Sequence, residues 1–394
     1  MADKLKISGV GCCLVDRLYN VSFSGDEFKA YLSKQRGDGG LTPGQLIFRE
    51  EFEEYGSKEF HQILDELLPS GKPVKINIGG PSLVSMIHAS QISDPETTEY
   101  HIYGMMGDDE DGKFISSLLG KTPLHTGNYR VTQSDTPSTV VLSDAEYDHG
   151  HGERIFINSI GAAWEFTSGM LDEQFFASDV VVFGGTALVP QIHDHLTELL
   201  ARAKTSECIT VVNTVYDFRN ERINPNLKWP LGKSDESYKH IDLLITDLEE
   251  ALQLSGKREL EGAMHFFREQ GAGAVIVTSG AENIRVWSDE TLFGQQEERE
   301  MPVSRTIVEE LKKGHSGDTT GCGDNFAGGV IASLADQLKE NTGKPDITEA
   351  CAWGIASGGT SCFYMGGMFE ESEPGQKRAL IEPYYLDYIQ SFRQ

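Results

Sequence analysis

The sequence predicts an α/β protein with a doubly wound, mostly parallel sheet, flanking helices and a small β lid. Short runs rich in Val, Ile and Leu recur along the chain, bounded by turn residues and mostly alternating with helical segments. That alternation is the pattern of buried parallel strands in βαβ units. A β-rich stretch around a Gly, His and Asp turn at 136–160 predicts a hairpin outside this order. With 394 residues, 39% of them hydrophobic, the chain can bury a large core.

The first third of the chain contributes three predicted strands. KISGVGCCLVD (6–16) is a strand and its exit. KINIGG (75–80) is a strand that ends in two glycines, and PSLVSMIHASQI continues from it as an amphipathic helix. EYHIYGMMGDDEDGKFISSLL (99–119) predicts a strand, a turn and a helix. Between the first two strands, residues 22–74 form an insertion with a turn-rich part, RGDGGLTPGQ.

The second half supplies the remaining strands of the predicted parallel sheet. Four short apolar runs predict them: SDVVVFGGTAL (178–188), ECITVVNTV (207–215), HIDLLITD (240–247) and GAVIVTSG (273–280). A further helix is predicted to begin near Asp324, because apolar residues from Phe326 onward follow at helical spacing. We expect a single domain over 1–394, with a lid formed by discontinuous segments at about 17–30 and 136–159.

Composition narrows the function classes. The formal net charge is −27, which disfavours nonspecific binding to nucleic acid or to an anionic membrane. No stretch approaches the roughly 18 apolar residues of a membrane span, and the charged first residues predict no signal peptide. Six cysteines are scattered without a C-x-x-C pair. That usage is typical of reduced thiols, so we expect a cytoplasmic protein.

One loop carries a pattern narrow enough to indicate chemistry. GDTTGCGDNFAGG (317–329) places an aspartate on each side of a glycine-rich turn that leads into a helix. Gly321 and Gly323 let the backbone approach a ligand, and the helix start offers unpaired N–H groups to an anion, usually phosphate. Asp324 then fits as the base that accepts the proton of an acceptor hydroxyl. A plain helix cap is the simpler alternative for an isolated Gly-Asp turn.

The segment DTTGCGD (318–324) closely resembles the D-T-x-G-A-G-D motif of the PfkB, or ribokinase-like, family of carbohydrate and nucleoside kinases. Only the motif's Ala differs, with a cysteine in its place. The resemblance implies a ribokinase-like fold and transfer of the γ-phosphate of ATP to a hydroxyl of a small substrate. It also implies these roles: Asp324 as catalytic base, the backbone N–H groups of Gly321, Cys322 and Gly323 as anion hole, and Asp318 and Thr319 in the phosphate loop.

The substrate side resembles the family at two positions. Asp16, just after the first strand, lies where the family binds substrate hydroxyls; a solvated aspartate at a strand end is the alternative. Gly79-Gly80 resembles the glycine pair that lets substrate approach the backbone, although such a pair is often a plain turn. Val84 stands where the family usually has an Asn, so one polar substrate contact is missing or supplied elsewhere.

Two further segments resemble the metal and nucleotide motifs. ITDLEEA (245–251) is similar to the N-x-x-E motif that organises Mg²⁺ and phosphate-bound water, which gives Asp247 and Glu250 as candidate metal residues. Asp247 replaces the motif's Asn and still offers oxygen to a hard cation, while a dipole-favoured surface explains any Glu-rich helix start. VTSG (277–280) resembles the strand and turn beside the nucleotide, which gives Thr278 and Gly280.

Other motifs in the sequence are incomplete. Gly232-Lys233-Ser234 ends like a P-loop, but Leu227 occupies the first Gly position. Gly9 begins a dinucleotide fingerprint, but Leu14 stands at its last Gly position. Two H-x-H pairs lack metal-binding spacing and are explained by a hairpin tip and a helix surface: His149 with His151, and His193 with His195.

These observations predict an ATP-dependent kinase of a small sugar, with a nucleoside as the alternative substrate. Mg²⁺·ATP is expected along the C-terminal edge of the sheet; the family often uses potassium too, and no residue here decides that. The insertion 22–74 is similar to the adenosine-kinase-like branch. A noncatalytic sugar or nucleoside sensor on the same fold is the alternative from another class, disfavoured because a binder needs no base. We expect no nucleic-acid or membrane partner, and a homodimer through the exposed face of the lid.

Overall fold

The computed structural model describes residues 4–35, 37–68, 71–150, 152–224, 227–314 and 319–392. Their strands form one sheet of nine strands and one of five. The strands are β1 (Leu5–Gly11), β2 (Leu14–Asn20), β3 (Leu46–Phe48), β4 (Lys75–Gly79), β5 (Thr98–Gly107), β6 (Tyr129–Thr132), β7 (Ser138–Asp144), β8 (Glu153–Ser159), β9 (Val180–Gly184), β10 (Ile209–Asn213), β11 (Leu243–Asp247), β12 (Ala274–Thr278), β13 (Ile284–Ser288) and β14 (Gln296–Met301).

The large sheet has the order β14-β13-β12-β11-β10-β9-β1-β5-β6. Its strands from β12 through β6 in that order pair in parallel, while β13 and β14 add an antiparallel edge. The strands near its centre are continuous apolar runs because helices cover both faces of a parallel sheet; β9, for example, is buried throughout. This confirms the predicted doubly wound α/β class.

The small sheet has the order β3-β8-β7-β2-β4. The predicted hairpin is present as the antiparallel pair of β7 and β8. Strand β2 follows β1 after a two-residue break and pairs with both β7 and β4. The chain therefore passes directly from the core sheet into the small sheet, so the two sheets meet at the carboxyl end of β1.

Helices cover the large sheet, and other helices lie within the insertion. They are α1 (Asp26–Lys29), α2 (Arg49–Gly56), α3 (Phe60–Leu67), α4 (Pro81–Ile92), α5 (Glu110–Leu119), α6 (Tyr147–Gly150), α7 (Glu173–Phe176), α8 (Pro190–His193), α9 (Leu196–Thr205), α10 (Phe218–Ile223), α11 (Leu248–Ser255), α12 (Leu260–Glu269), α13 (Arg305–Lys312), α14 (Cys322–Glu340), α15 (Ile347–Ser361) and α16 (Gln376–Phe392). Among the described residues, none of these helices is long and apolar enough to cross a membrane.

Helix α4 differs from the amphipathic helix predicted for its sequence. All twelve of its residues are buried, including its serines and His88. One face packs on β1, β5 and β9, and another packs on α14. Because α4 lies between the sheet and a second helix, it has no solvent face, and its polar side chains must find partners inside the protein.

Candidate active site

The turn before α14 has the geometry of an anion site. Gly321 adopts a left-handed φ of 75° and caps α14 without a side-chain hydrogen bond. A Cβ at this position would lie 2.5 Å from the Cα of Gly367, so glycine is required both by conformation and by space. The first hydrogen bond of the helix runs from Asn325 N to Gly321 O at 2.9 Å. The N–H groups of Cys322 and Gly323 therefore precede the helical ladder, at the end of the helix that attracts an anion.

The flanking loop leaves this turn open to a ligand. Cys322 N–H donates to Thr319 O at 3.3 Å, a long bond that a phosphate oxygen can replace. Gly323 is exposed, and a Cβ there would meet nothing within 4 Å. Asp318, which the sequence assigns to the phosphate loop, lies outside the described residues.

Asp324 lies on the same helical turn as these donors and is half-buried. Burial raises the pKa of its carboxyl to about 6. A carboxyl with that pKa is still mostly ionised near neutral pH and binds a proton more tightly than an exposed aspartate does. The predicted base and the predicted anion donors therefore occupy one short segment.

A buried polar network holds this turn from behind through Asn325. The amide Nδ2 donates to the carbonyls of Gly321 and Gly367, each at 2.8 Å. The amide Oδ1 accepts from Lys377 Nζ at 3.0 Å and lies 2.6 Å from His88 Nδ1. Since Asn325 Oδ1 can only accept, the proton of this His88 contact lies on Nδ1. Asn325 thus ties the anion turn to α4, to α16 and to the segment around Gly367.

Lys377 is the least expected member of this network. It lies in α16, is 1% exposed, and also donates to Gln91 Oε1 at 3.2 Å. Burial lowers the pKa of its ammonium to about 7. Burying a lysine ammonium whose direct side-chain contacts are neutral amide oxygens costs folding free energy. Such a lysine is unusual unless its N–H donors serve the site.

The predicted substrate residues meet where β4 ends. Asp16 in β2 pairs with Asn77 in β4, and a Cβ on Gly79 would overlap the Asp16 carboxylate. Gly80 has a φ of 99°, and a Cβ there would overlap the carbonyl of Cys12. Gly79 therefore permits a close approach of backbone to the Asp16 side chain, and Gly80 permits one to the backbone at Cys12. Among the described residues, Asn77 Nδ2 is buried without a hydrogen-bond partner.

A two-glycine segment joins this substrate side to the anion turn. A Cβ on Gly366 would overlap the Asn77 side chain, while Gly367 packs against Gly321. A Cβ on Gly367 would also lie 3.1 Å from Val84 Cγ2. Val84, which stands where the resemblance predicts an Asn, thus makes an apolar contact with this segment. The predicted substrate contacts and the predicted base are brought together through Gly366 and Gly367.

The small sheet also reaches the phosphate loop. Arg154 of β8 donates from Nη1 to Thr320 Oγ1 at 3.2 Å. Its guanidinium is half-buried, in a chain whose net charge is −27. A guanidinium beside a glycine-rich anion turn can donate to phosphate oxygens in a way that a backbone amide cannot.

The predicted metal residues form a carboxyl cluster at the start of α11. Asp247 caps the helix, with its Oδ1 accepting from Glu250 N at 2.8 Å, and Glu250 accepts from Thr214 Oγ1. Burial, followed by the charge of Asp247, raises the pKa of Glu250 to about 8. Desolvation also raises the pKa of Asp247 and, with the Asp247 charge, that of Glu249. The capping alternative is therefore realised, yet clustered oxygens that resist ionisation also suit a hard divalent cation such as Mg²⁺.

Strand register places these groups along one edge of the large sheet. Gly11 pairs with Gly184 at the carboxyl ends of β1 and β9, and Asp247 pairs with Thr278 at the carboxyl ends of β11 and β12. Gly280 follows β12 in a turn, with a φ of 54° and open space where a Cβ would lie. This is the edge at which open α/β sheets bind ligands.

The largest cavity described has a volume of about 500 Å³ and lies between the insertion, β8 and the loop after β10. Aromatic rings line it, from Phe48, Phe156, Tyr216 and Phe218, with Glu249 at its border. Asp16 and Asp324 are not among its lining residues. Its volume is within the range of small-molecule sites.

The histidine pair at 193 and 195 differs in part from the prediction. His193 was placed on a helix surface, but it is 3% exposed and contacts Thr186 Oγ1 at 3.0 Å. Of the other pair, His151 lies outside the described residues.

A different cluster, Glu99 with His101 and His125, has its potential ligand atoms within 4.8 Å of one another. It lies at the amino end of β5, the opposite edge of the sheet from the site, and its two imidazole rings stack at 4.7 Å.

Comparison with known proteins identifies the class of protein that this fold and site define. Residues 57–373 match the family model described as pfkB family carbohydrate kinase. The chain therefore belongs to that family and is a kinase of the sugar or nucleoside class. Kinases of this family use ATP, usually with Mg²⁺.

Individual relatives are similar at low identity. The fructokinase of Vibrio alginolyticus is 22% identical over 274 residues, which is 68% of this chain and 80% of that protein. Among solved structures, adenosine kinase from Schistosoma mansoni in complex with 2-fluoroadenosine has 18% identity and a TM-score of 0.67, covering 93% of this chain and 97% of its own. Ribokinase from Thermotoga maritima has 18% identity and a TM-score of 0.62, covering 96% and 99%.

Sequence reasoning did not identify four polar residues around the site. Asn325 follows the motif directly, and its polar side chain inside an apolar helix was a usable signal. Asn77 alternates with apolar neighbours in its strand and gave no distinct signal. Arg154 and Lys377 are brought to the loop only by tertiary packing, from 166 residues before Thr320 and 52 residues after Asn325.

Proposed function

We propose that this kinase transfers the γ-phosphate of ATP to a hydroxyl of a small sugar, with Asp324 as the general base. One observation carries the proposal: Asp324 shares a helical turn with the anion donors, and Gly366-Gly367 joins that turn to Asn77, the strand partner of Asp16. A hydroxyl held by Asp16 and by the backbone at Gly79 and Gly80 then lies between a base and a phosphate cradle.

The acceptor step follows from these groups. Asp16 accepts hydrogen bonds from sugar hydroxyls and so orients one of them toward the turn. Asp324 takes the proton of that hydroxyl as its oxygen attacks phosphorus, and the raised pKa of Asp324 favours the transfer. Asn77 Nδ2, buried and unpartnered among the described residues, supplies a polar contact in place of the one lost at Val84.

The protein groups around the phosphate stabilise charge and form no covalent bond with it. Charge spreads over the transferring phosphoryl oxygens, and the N–H groups of Gly321, Cys322 and Gly323 are fixed to meet it. Arg154 adds a charged donor, and its position in the small sheet links lid closure to phosphate binding. Asn325 keeps the turn in this shape through its two bonds to backbone carbonyls.

The carboxyl cluster accommodates the cation. Asp247 and Glu250 would hold Mg²⁺, directly or through water, and the bound cation would neutralise phosphate charge. Ionisation of Glu250, resisted by burial and by Asp247, becomes favourable when a cation shares the site. Thr278 and Gly280 border the nucleotide on the neighbouring strand and turn.

A nucleoside is the second candidate acceptor, and the aromatic cavity favours it. Phe156, Tyr216 and Phe218 line a space of about 500 Å³, in which a flat base can stack.

Substrate identity is tested by ADP release with Mg²⁺·ATP across pentoses, hexoses, sugar phosphates and nucleosides, in potassium and in choline salts. Turnover with a sugar supports the proposal, and turnover with nucleosides alone supports the second candidate. Asp324→Asn should abolish turnover in either case, and Asp16→Ala should raise KM with a smaller effect on kcat. Calorimetric binding of a sugar without transfer from any nucleotide would instead establish a noncatalytic sensor.

A further inference from the structure

Two cysteine sulfurs meet beside the anion turn. Cys322 is the first residue of α14, and Cys362 follows the last residue of α15. Their Sγ atoms lie 3.2 Å apart. A disulfide has an S–S distance of about 2.05 Å, so the sulfurs need to approach by only roughly 1 Å to bond.

Close packing of α14 on α15 brings the two sulfurs together. A Cβ on Gly358 of α15 would lie 2.9 Å from the carbonyl oxygen of Cys322, so the helices approach through a glycine at this point. Ser361 Oγ, one residue before Cys362, donates to Cys322 Sγ at 3.2 Å. The backbone of both helices therefore fixes the pair, and their proximity does not depend on one exposed rotamer.

The same two cysteines are the accessible ones. Cys12, Cys13, Cys208 and Cys351 are buried, whereas Cys322 and Cys362 are partly exposed. Cys322 also lies in the first turn of a helix, where the helix dipole stabilises negative charge such as that of a thiolate. Exposure and position together favour reaction at this pair over the other four.

We propose that Cys322 and Cys362 form a dithiol modification site, which a small-molecule disulfide oxidises to an internal disulfide that closes the anion hole. One protein thiolate attacks a sulfur of the reagent and releases one reagent thiol. The second protein thiolate then attacks the mixed disulfide and releases the other. Two protein thiols lose two protons and two electrons, one protein S–S bond forms, and the reagent disulfide becomes two thiols.

The effect on transfer rests on the proposed function. The Cys322 N–H is one of the three donors assigned to the phosphoryl group, and its side chain shares that backbone. Drawing Sγ toward Cys362 moves the residue that lies between Gly321 and Gly323, and so displaces its N–H group from the cradle. Loss of one such donor typically lowers kcat by about a hundredfold or more.

The test exposes the full-length protein to oxidised glutathione and follows two readouts. Non-reducing peptide mapping by mass spectrometry should find Cys322 linked to Cys362, with a mass loss of two hydrogen atoms. Phosphoryl transfer should fall about a hundredfold and return with dithiothreitol. Cys362→Ala should keep basal activity and lose the cross-link, whereas Cys351→Ala, a buried cysteine on the same helix, should still form it.

The outcomes separate the two levels of the proposal. Absence of the Cys322–Cys362 link, in wild type and in the Cys351→Ala control, overturns the modification site. A link that leaves transfer unchanged overturns the closure of the anion hole. If the reduced protein phosphorylates nothing while the link forms, the proposed function fails and the dithiol site stands, because the mass readout needs no activity.

Discussion

Asp324 is a single carboxyl whose environment sets a measurable pH dependence. Its pKa is raised to about 6 by burial, and the base must be ionised to accept a proton. Activity should therefore be present above this pKa and decline as the pH falls through about 6, tenfold for each further unit. The measurement is kcat/KM against pH at saturating Mg²⁺·ATP.

The matched variant for that profile is Asp324→Asn. It should lose kcat by several orders of magnitude while its melting temperature and ATP affinity stay close to wild type. Residual turnover near the wild-type level would remove Asp324 from the role of base.

Lys377 should act on catalysis through Asn325 rather than by contact with substrate. Lys377→Met removes one of the donors to Asn325 Oδ1, beside His88 and Tyr364, while keeping most of the side-chain volume, so the amide is held less firmly against Gly321. We expect kcat to fall about tenfold or more with KM little changed, and the part of the pH profile near 7 to flatten. Kinetics and thermal melts should be compared with Lys313→Met, a change at an exposed lysine.

A merely structural Lys377 gives a different result. In that case Lys377→Met lowers the melting temperature, while kcat per folded molecule and the pH profile match the wild type.

Among the elements, the start of α11 combines a helix cap with the proposed metal site. Glu250→Gln keeps most of the hydrogen bonds of the cap but removes a carboxylate that a cation would use. The Mg²⁺ concentration needed for half-maximal rate should rise about tenfold, with a smaller change in the melting temperature. Glu269→Gln, at the exposed end of α12, is the control. An unchanged Mg²⁺ requirement would leave Glu250 as a cap alone.

Strand β8 should contribute to nucleotide affinity through Arg154. Arg154→Gln removes a charged donor beside Thr320, so kcat/KM for ATP should drop by about ten- to a hundredfold. The exposed Arg258→Gln should have no such effect. If both variants behave alike, the contact of β8 with the loop serves packing only.

An element could be predicted from the sequence where its signal lies in neighbouring residues. Strands such as β9 and β12 were predicted because continuous apolar runs between turns specify buried parallel strands. The charged edge strand β14, QEEREM, has no such run; its glutamates gain partners from distant elements, as in Glu300 with Arg285 of β13 and Glu298 with Arg268 of α12. The burial of α4 on all sides and of His193 likewise depends on neighbours that are distant in the chain.

The candidate site shows the same division. The motif around Asp324 is contiguous, and so is the cap of Asp247 and Glu250, so both segments could be recognised from sequence, and the roles assigned to them stay predictions. Lys377 could not be predicted, because a lysine in α16 differs from a surface lysine only by what packs around it.

At the scale of the whole molecule, formation of a homodimer through the small sheet remains a prediction. Its edge strand β4 carries Ile76, which is 42% exposed, and the preceding Val74 is 58% exposed. Apolar side chains on an unpaired edge favour pairing with a second copy. Light scattering over a range of concentrations should show a dimer that Ile76→Asp converts to monomer. A wild type that is monomeric at every concentration contradicts this.

The Gly366-Gly367 segment limits how a kinase of this kind can evolve specificity for a new acceptor. One glycine touches the strand that faces Asp16 and the other touches the turn that carries the base, so neither half can be remodelled there without the other. Divergence toward new acceptors is then confined to strands β2 and β4 of the small sheet, which carry Asp16 and Gly79. A library built to alter the acceptor should randomise those strands and leave the two glycines fixed.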